Sequence, residues 1–297
     1  MKRGLRSLLG RVVGASPSPL SERPGRIREL DQEIRLPVAG IYVRWNLETS
    51  VATLEWDLKV VADPTSSVGI YLALAQGRID GSTFYLGLQT DVWDPGRLRG
   101  AGKGLLFSTW WTFDAGATRL APGGFRELGT HEGRFVGVRQ PYPWVVGDYR
   151  VTLARSEPAA QVGAPADWFD LYIQPTVPPG TGPGRPELAG LRTWIGGLAF
   201  PRRHGSMPAL IDEASTTFME VYSRARRWGD IPRWDVDLMA YGDGQPCPRG
   251  VTEYPVFPFG NNRPMPNANA RYDLTNDVVQ LRYGDSTNRV DPAGRWP

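Results

Sequence analysis

The chain has 297 residues, 41% hydrophobic and 22% charged, which is apolar enough for one or two packed domains and excludes collagen, a coiled coil and wholesale disorder. Gly 35 and Pro 27 make up about a fifth of it, beside Trp 11, Tyr 11 and Phe 10, a mixture that favours short strands joined by turns over long helices. Net charge is +3; of 34 basic residues only Lys2, Lys59 and Lys103 are lysines, and past the N-terminus the arginines alternate with acids, so the clustered charge of a nucleic-acid binder is missing.

In chain order, Leu5, Leu8, Leu9, Val12 and Val13 fall on one face of a helix, with Lys2, Arg3, Arg6 and Arg11 around it. Gly10 and Arg11 interrupt the apolar run, so it reads neither as a cleavable signal nor as a membrane span. A basic amphipathic helix over residues 1–13 suits docking to a membrane surface or a partner. Residues 1–25 therefore form an N-terminal segment, with Ser16-Pro17-Ser18-Pro19 as linker. With no export or membrane signal the default compartment is the cytoplasm.

From about Ile27 the pattern is period two. Ile41, Val43, Trp45 and Leu47 alternate with polar residues, then Leu54, Trp56, Leu58 and Val60 alternate with Glu55, Asp57 and Lys59. Further runs lie at Val68 to Ala75, Thr83 to Gln89, Gly104 to Trp111, Tyr149 to Ala154, Trp168 to Gln174, Arg192 to Phe200, Thr216 to Ser223, Trp234 to Tyr241 and Val278 to Tyr283. Asp63-Pro64, Asp80-Gly81, Asp94-Pro95-Gly96 and Pro122-Gly123-Gly124 supply turns. About eleven strands without interleaved long helices predict an all-β fold, a two-sheet antiparallel sandwich of the lectin or jelly-roll kind. The stretch Pro175 to Pro186 reads as a long surface loop. Ile211-Asp212-Glu213-Ala214 is ambiguous and fits a helix start. The sandwich is expected over 26–254, with 255–297 as an irregular Pro/Asn-rich extension packed on it.

The middle of the chain carries an ordered set of motifs: Tyr85-Leu86-Gly87-Leu88-Gln89, Leu106-Phe107-Ser108-Thr109-Trp110, His131-Glu132-Gly133-Arg134-Phe135 and Tyr142-Pro143-Trp144-Val145-Val146-Gly147-Asp148-Tyr149. In this the chain resembles the bacterial proteins grouped as domain of unknown function family 3472, over roughly residues 40–245. The glycine-rich third motif matches only in part. The resemblance implies a concanavalin-like sandwich and an association with surface glycans, and it carries no established activity; its members are often exported.

Sugars offer C–H faces to aromatic rings and hydroxyls to polar rims. Trp93, Trp110, Trp111, Tyr142 and Trp144 are therefore the candidate stacking residues, with His131, Glu132 and Arg134 as polar partners in a glycan-binding cleft. His131 and Glu132, between Gly129 and Gly133, are also the candidates for any catalytic role. A hydrolase or lyase would pair Glu132 with a second carboxylate; Glu55 with Asp57, and Asp235 with Asp237, share strand faces and read as surface charges. A third reading is an assembly protein that uses exposed aromatics and the N-terminal segment. The sequence does not set the oligomeric state. Cys247 is the single cysteine and His131 and His204 the two histidines, which excludes a disulfide framework and a Cys/His metal centre. No cofactor is expected; calcium on Asp235, Asp237 and Asp243 lacks the loop spacing of a calcium site.

Overall fold

The structure is a computed structural model that describes residues 29–64, 67–96, 99–110, 114–129, 133–159, 165–176, 190–247, 253–254, 265–285 and 287. The N-terminal segment 1–25, most of the proline-rich loop and residues 255–264 lie outside the described residues. All strand pairings are antiparallel. The strands are β1 (Val38–Asn46), β2 (Thr53–Ala62), β3 (Gly69–Ile79), β4 (Ser82–Gln89), β5 (Trp93–Asp94), β6 (Arg99–Gly100), β7 (Gly104–Trp110), β8 (Thr118–Leu120), β9 (Phe125–Gly129) and β10 (Phe135–Pro141). They continue as β11 (Gly147–Pro158), β12 (Ala166–Pro175), β13 (Thr193–Pro201), β14 (Ile211–Ser223), β15 (Trp234–Gly242), β16 (Gln245–Pro246), β17 (Glu253–Tyr254), β18 (Ala268–Asp273) and β19 (Val278–Tyr283).

They form the expected sandwich. An eight-stranded sheet runs β17-β1-β14-β3-β4-β7-β10-β9, and a nine-stranded sheet runs β18-β19-β15-β2-β11-β12-β13-β8. The core lies between them. Trp45, Leu72, Phe84, Phe107 and Met219 face inward from the first sheet, and Trp56, Val151, Phe169, Phe200, Val236 and Leu281 from the second, all fully buried or nearly so. Phe107 and Phe200 stack across the gap with ring centroids 5.9 Å apart. Among the described residues no helix is long and apolar enough to cross a membrane.

The period-two reading explains the central strands. In β2, Leu54, Trp56, Leu58 and Val60 are buried while Glu55, Asp57 and Lys59 point outward. Asp80 and Gly81, both at positive φ (48° and 83°), make the two-residue turn between β3 and β4. Three expectations need correction. Ile211-Asp212-Glu213-Ala214 opens strand β14 rather than a helix, because β14 is held between β1 and β3 and ladder pairing overrides local preference. The stretch 255–297 is not irregular throughout: β18 and β19 form a hairpin that extends the nine-stranded sheet beside β15. Strand β10 was not anticipated, since Gly137 and Pro141 obscure its alternation, yet it is a full partner of β7 and β9.

Candidate functional site

In a sandwich, one face of each sheet is core and the other normally meets water. The outer face of the eight-stranded sheet departs from this. Tyr71, Ala73, Tyr85, Leu106 and Phe218 form an apolar cluster separate from the core, with Ala39, Tyr42, Trp110 and Tyr222 packed against it. A bulge makes this arrangement: Ala73 pairs with Gly87 but Ala75 with Leu86, so Leu74 and Ala75 both point into the core. The phase of β3 switches there, keeping Tyr71 and Ala73 outward before the bulge and Gln76 outward after it.

The rings make one continuous band. Tyr42 stacks on Phe218 at 5.3 Å, Phe218 meets Tyr71 edge-on at 6.0 Å, Tyr71 meets Tyr85 edge-on at 5.6 Å, and Tyr85 lies 4.3 Å from Trp110. One ring comes from each of the adjacent strands β1, β14, β3, β4 and β7. At about 4.8 Å per strand the band is roughly 19 Å long and runs across the strands. Phe218, Tyr71 and Tyr85 are buried, while Tyr42 and Trp110 at the two ends are half-buried. Burial, and then Glu220, push the Tyr42 hydroxyl above its ordinary value.

Polar groups line the band's flank. Arg139, which faces Leu106 in register, is 5% exposed; it forms an ion pair with Glu127, and its Nη1 donates to Gln89 Oε1 at 3.5 Å. Burial works against the guanidinium charge, but attraction to Glu127, Tyr85 and Tyr71 outweighs it and holds Arg139 firmly ionised. Ser108 is fully buried beside Tyr85 and Gly137, and its Oγ has no hydrogen-bond partner. Gly137 is required there, because a Cβ would lie 2.2 Å from that oxygen. Rings, hydroxyls, an amide and a held charge are the components with which proteins read polyhydroxylated ligands.

The sequence-predicted residues divide. Trp110 belongs to the band, and Arg134 is exposed one residue before Phe135, the register partner of Trp110. Trp93 is 47% exposed on the small β5–β6 hairpin, separate from the band. Trp111, His131 and Glu132 lie outside the described residues. Tyr142 and Trp144 are corrected to core residues, at 4% and 0% exposure. Trp144 stacks flat on Trp234 at 5.1 Å, donates Nε1–H to the Gln89 carbonyl at 3.2 Å and carries Lys103 Nζ 4.2 Å over its ring. Burial, and then Tyr149, push the Tyr142 hydroxyl up to about 12. Neither ring has a face free for a ligand. Tyr42, Tyr71, Tyr85 and Phe218 were not anticipated.

Glu55 and Asp57 do share the outer face of β2, and both are engaged: Glu55 accepts from Thr152 Oγ1 at 3.1 Å and Asp57 from Arg150 Nε and Nη2 at 2.9 and 3.1 Å. Asp235 and Asp237 do not share an environment, since a register shift falls between Asp235 and Val236. Asp235 is buried against Arg233, and Asp237 pairs with Arg282. Asp243 caps the Ala52 and Thr53 amides instead. Among the described residues no group of three His, Cys, Asp or Glu side chains is placed to hold a metal ion.

No protein-family model matches the chain, and no curated protein matches it. Among solved structures the chain is similar to a crystal structure of scytalido-glutamic peptidase with a peptide-based transition-state analog, at 10% sequence identity and a TM-score of 0.36, covering 84% of this chain and 98% of that one.

Proposed function

We propose that this protein binds an extended glycan on the outer face of the eight-stranded sheet. The observation that carries the reading is the five-ring band from Tyr42 to Trp110, placed on the side of the sheet that faces away from the core. The accessible ends offer stacking surfaces, and the span between them suits a short run of linked sugars rather than one ring. Gln89 and the Arg139–Glu127 pair supply donors and acceptors beside the apolar floor. The motif order that resembles domain of unknown function family 3472 gives the same expectation of glycan association.

Calorimetric titration against a panel of polysaccharides tests this. Micromolar or tighter binding to at least one member is expected. Trp110→Ala should weaken it by about 2 kcal/mol, roughly thirtyfold, as for aromatic hot-spot residues at interfaces. Absence of binding across the panel, or binding unaffected by both Trp110→Ala and Tyr42→Ala, would overturn the reading.

A further inference from the structure

The opposite side of the molecule carries a second, chemically different cleft. It has a volume of about 670 Å3 and lies on the outer face of the nine-stranded sheet, within the range of about 300–1,000 Å3 typical of small-ligand sites. Its floor is strictly registered: Lys59 on β2 faces Asp148 on β11 and Asp237 on β15, and Asp57 faces Arg150. Gln280 of β19 stands beside Asp237, and Asn276 of the β18–β19 turn forms the wall. Asp273 holds both amides in place, accepting from Asn276 Nδ2 at 2.8 Å and from Gln280 Nε2 at 3.3 Å.

The charges in this cleft are unevenly matched. Asp57 is neutralised by Arg150 and Asp237 by Arg282. Lys59 and Asp148 have no ion-pair partner among the described residues, although they face each other in register. An exposed strand lysine alone is ordinary. Here it stands over a cleft otherwise lined by closed ion pairs, fixed amides and an unpaired carboxylate.

The geometry points to a binding site for a sugar acid of the uronate type over Lys59, independent of the aromatic band. The ligand carboxylate would take the Lys59 ammonium, and its ring hydroxyls would donate to Asp148 and exchange hydrogen bonds with Asn276 and Gln280. The volume argues for a disaccharide or longer rather than a free amino acid, which offers one anion but few hydroxyls for the amide wall.

Lysine scarcity makes the test direct. Lys103, the other described lysine, is held by Asp63 and the Trp144 ring, so it is the internal reference. The full chain is acetylated with an N-hydroxysuccinimide ester, with and without a galacturonate disaccharide, and each lysine is followed by peptide mass spectrometry. Lys59 modification should slow at least fivefold with the disaccharide, Lys103 should not change, and the neutral galactose disaccharide should give no protection. Lys59→Gln should abolish calorimetric binding of the uronate with an unchanged melting temperature. Trp110→Ala should leave Lys59 protection intact, which separates failure of this site from failure of the band. Equal labelling with and without uronate, protection of Lys59 by free glutamate as strong as by uronate, or uronate binding unchanged in Lys59→Gln, would each overturn the assignment.

Discussion

Replacing Trp144 by alanine separates its two contrasting roles, as ligand platform or as core. The ring is fully buried, stacked on Trp234, bonded to the Gln89 carbonyl and covered by Lys103. Truncating a buried Trp costs about 3–5 kcal/mol, of which the aromatic pair supplies about 0.5–1.5 and the indole hydrogen bond about 1. Against a typical total stability of about 5–15 kcal/mol, the midpoint in urea should fall by roughly a fifth or more with the m-value unchanged, and the melting temperature by on the order of 10 °C. Trp144→Phe, which keeps most of the stacked surface, should lose roughly half as much. The assay is urea unfolding followed by far-UV circular dichroism, with glycan titration of each variant that remains folded. A Trp144→Ala protein of unchanged midpoint that has lost glycan binding would refute the core assignment and restore Trp144 as a platform.

Two further predictions concern titratable groups. Burial alone would raise the Asp167 carboxyl, but hydrogen bonds from Arg202 and from the Ala209 amide at 2.7 Å outweigh it and hold the group below 3.8. Its stabilisation is therefore complete above about pH 3.8 and lost as pH falls through the lower folded value; Asp167→Asn should lower stability at pH 7 by about 1.5–3 kcal/mol, the magnitude of a charge-assisted hydrogen bond, and flatten the acid limb of the stability curve, and an unaltered acid limb would count against the pair. Burial pushes the Cys247 thiol up to about 12, so at pH 8 a disulfide reagent should titrate it only after unfolding; stoichiometric reaction of the folded protein within minutes would contradict its burial.

The strands were legible where one face is core and the other wet, as in β2, because burial there alternates residue by residue. The aromatic band was not. From Gly69 to Ala75 every residue of β3 is buried, so no alternation marks which side faces the core, and a bulge then reverses the phase. Tyr71 and Tyr85 are ordinary strand residues in sequence; only the order of β14, β3 and β4 sets them edge to edge. Trp144 misled in the opposite way. It reads in sequence as a stacking residue, yet the segment folds back so that the indole reaches Trp234. Such a contact between distant parts of the chain leaves no local trace. The cleft over Lys59 shows the same limit: its charges were visible as strand-face residues, but which carboxylates are already neutralised depends on β11 and β19.

The strand order also has a cost in time during synthesis. Strand β2 lies between β11 and β15, and roughly 170 residues separate its end from the start of β15. At about 5–20 residues per second on the ribosome, β2 waits about 9–35 s for its second neighbour, and β1 waits a comparable time for β14. During that interval Leu54, Trp56, Leu58 and Val60 have an incomplete sheet around them. Pairings between such distant strands fold slowly and expose sticky edges on the way. The nascent chain is therefore expected to engage holding chaperones well before its last strands emerge, and its soluble yield should fall when elongation is slowed after β11 and rise when such chaperones are supplied.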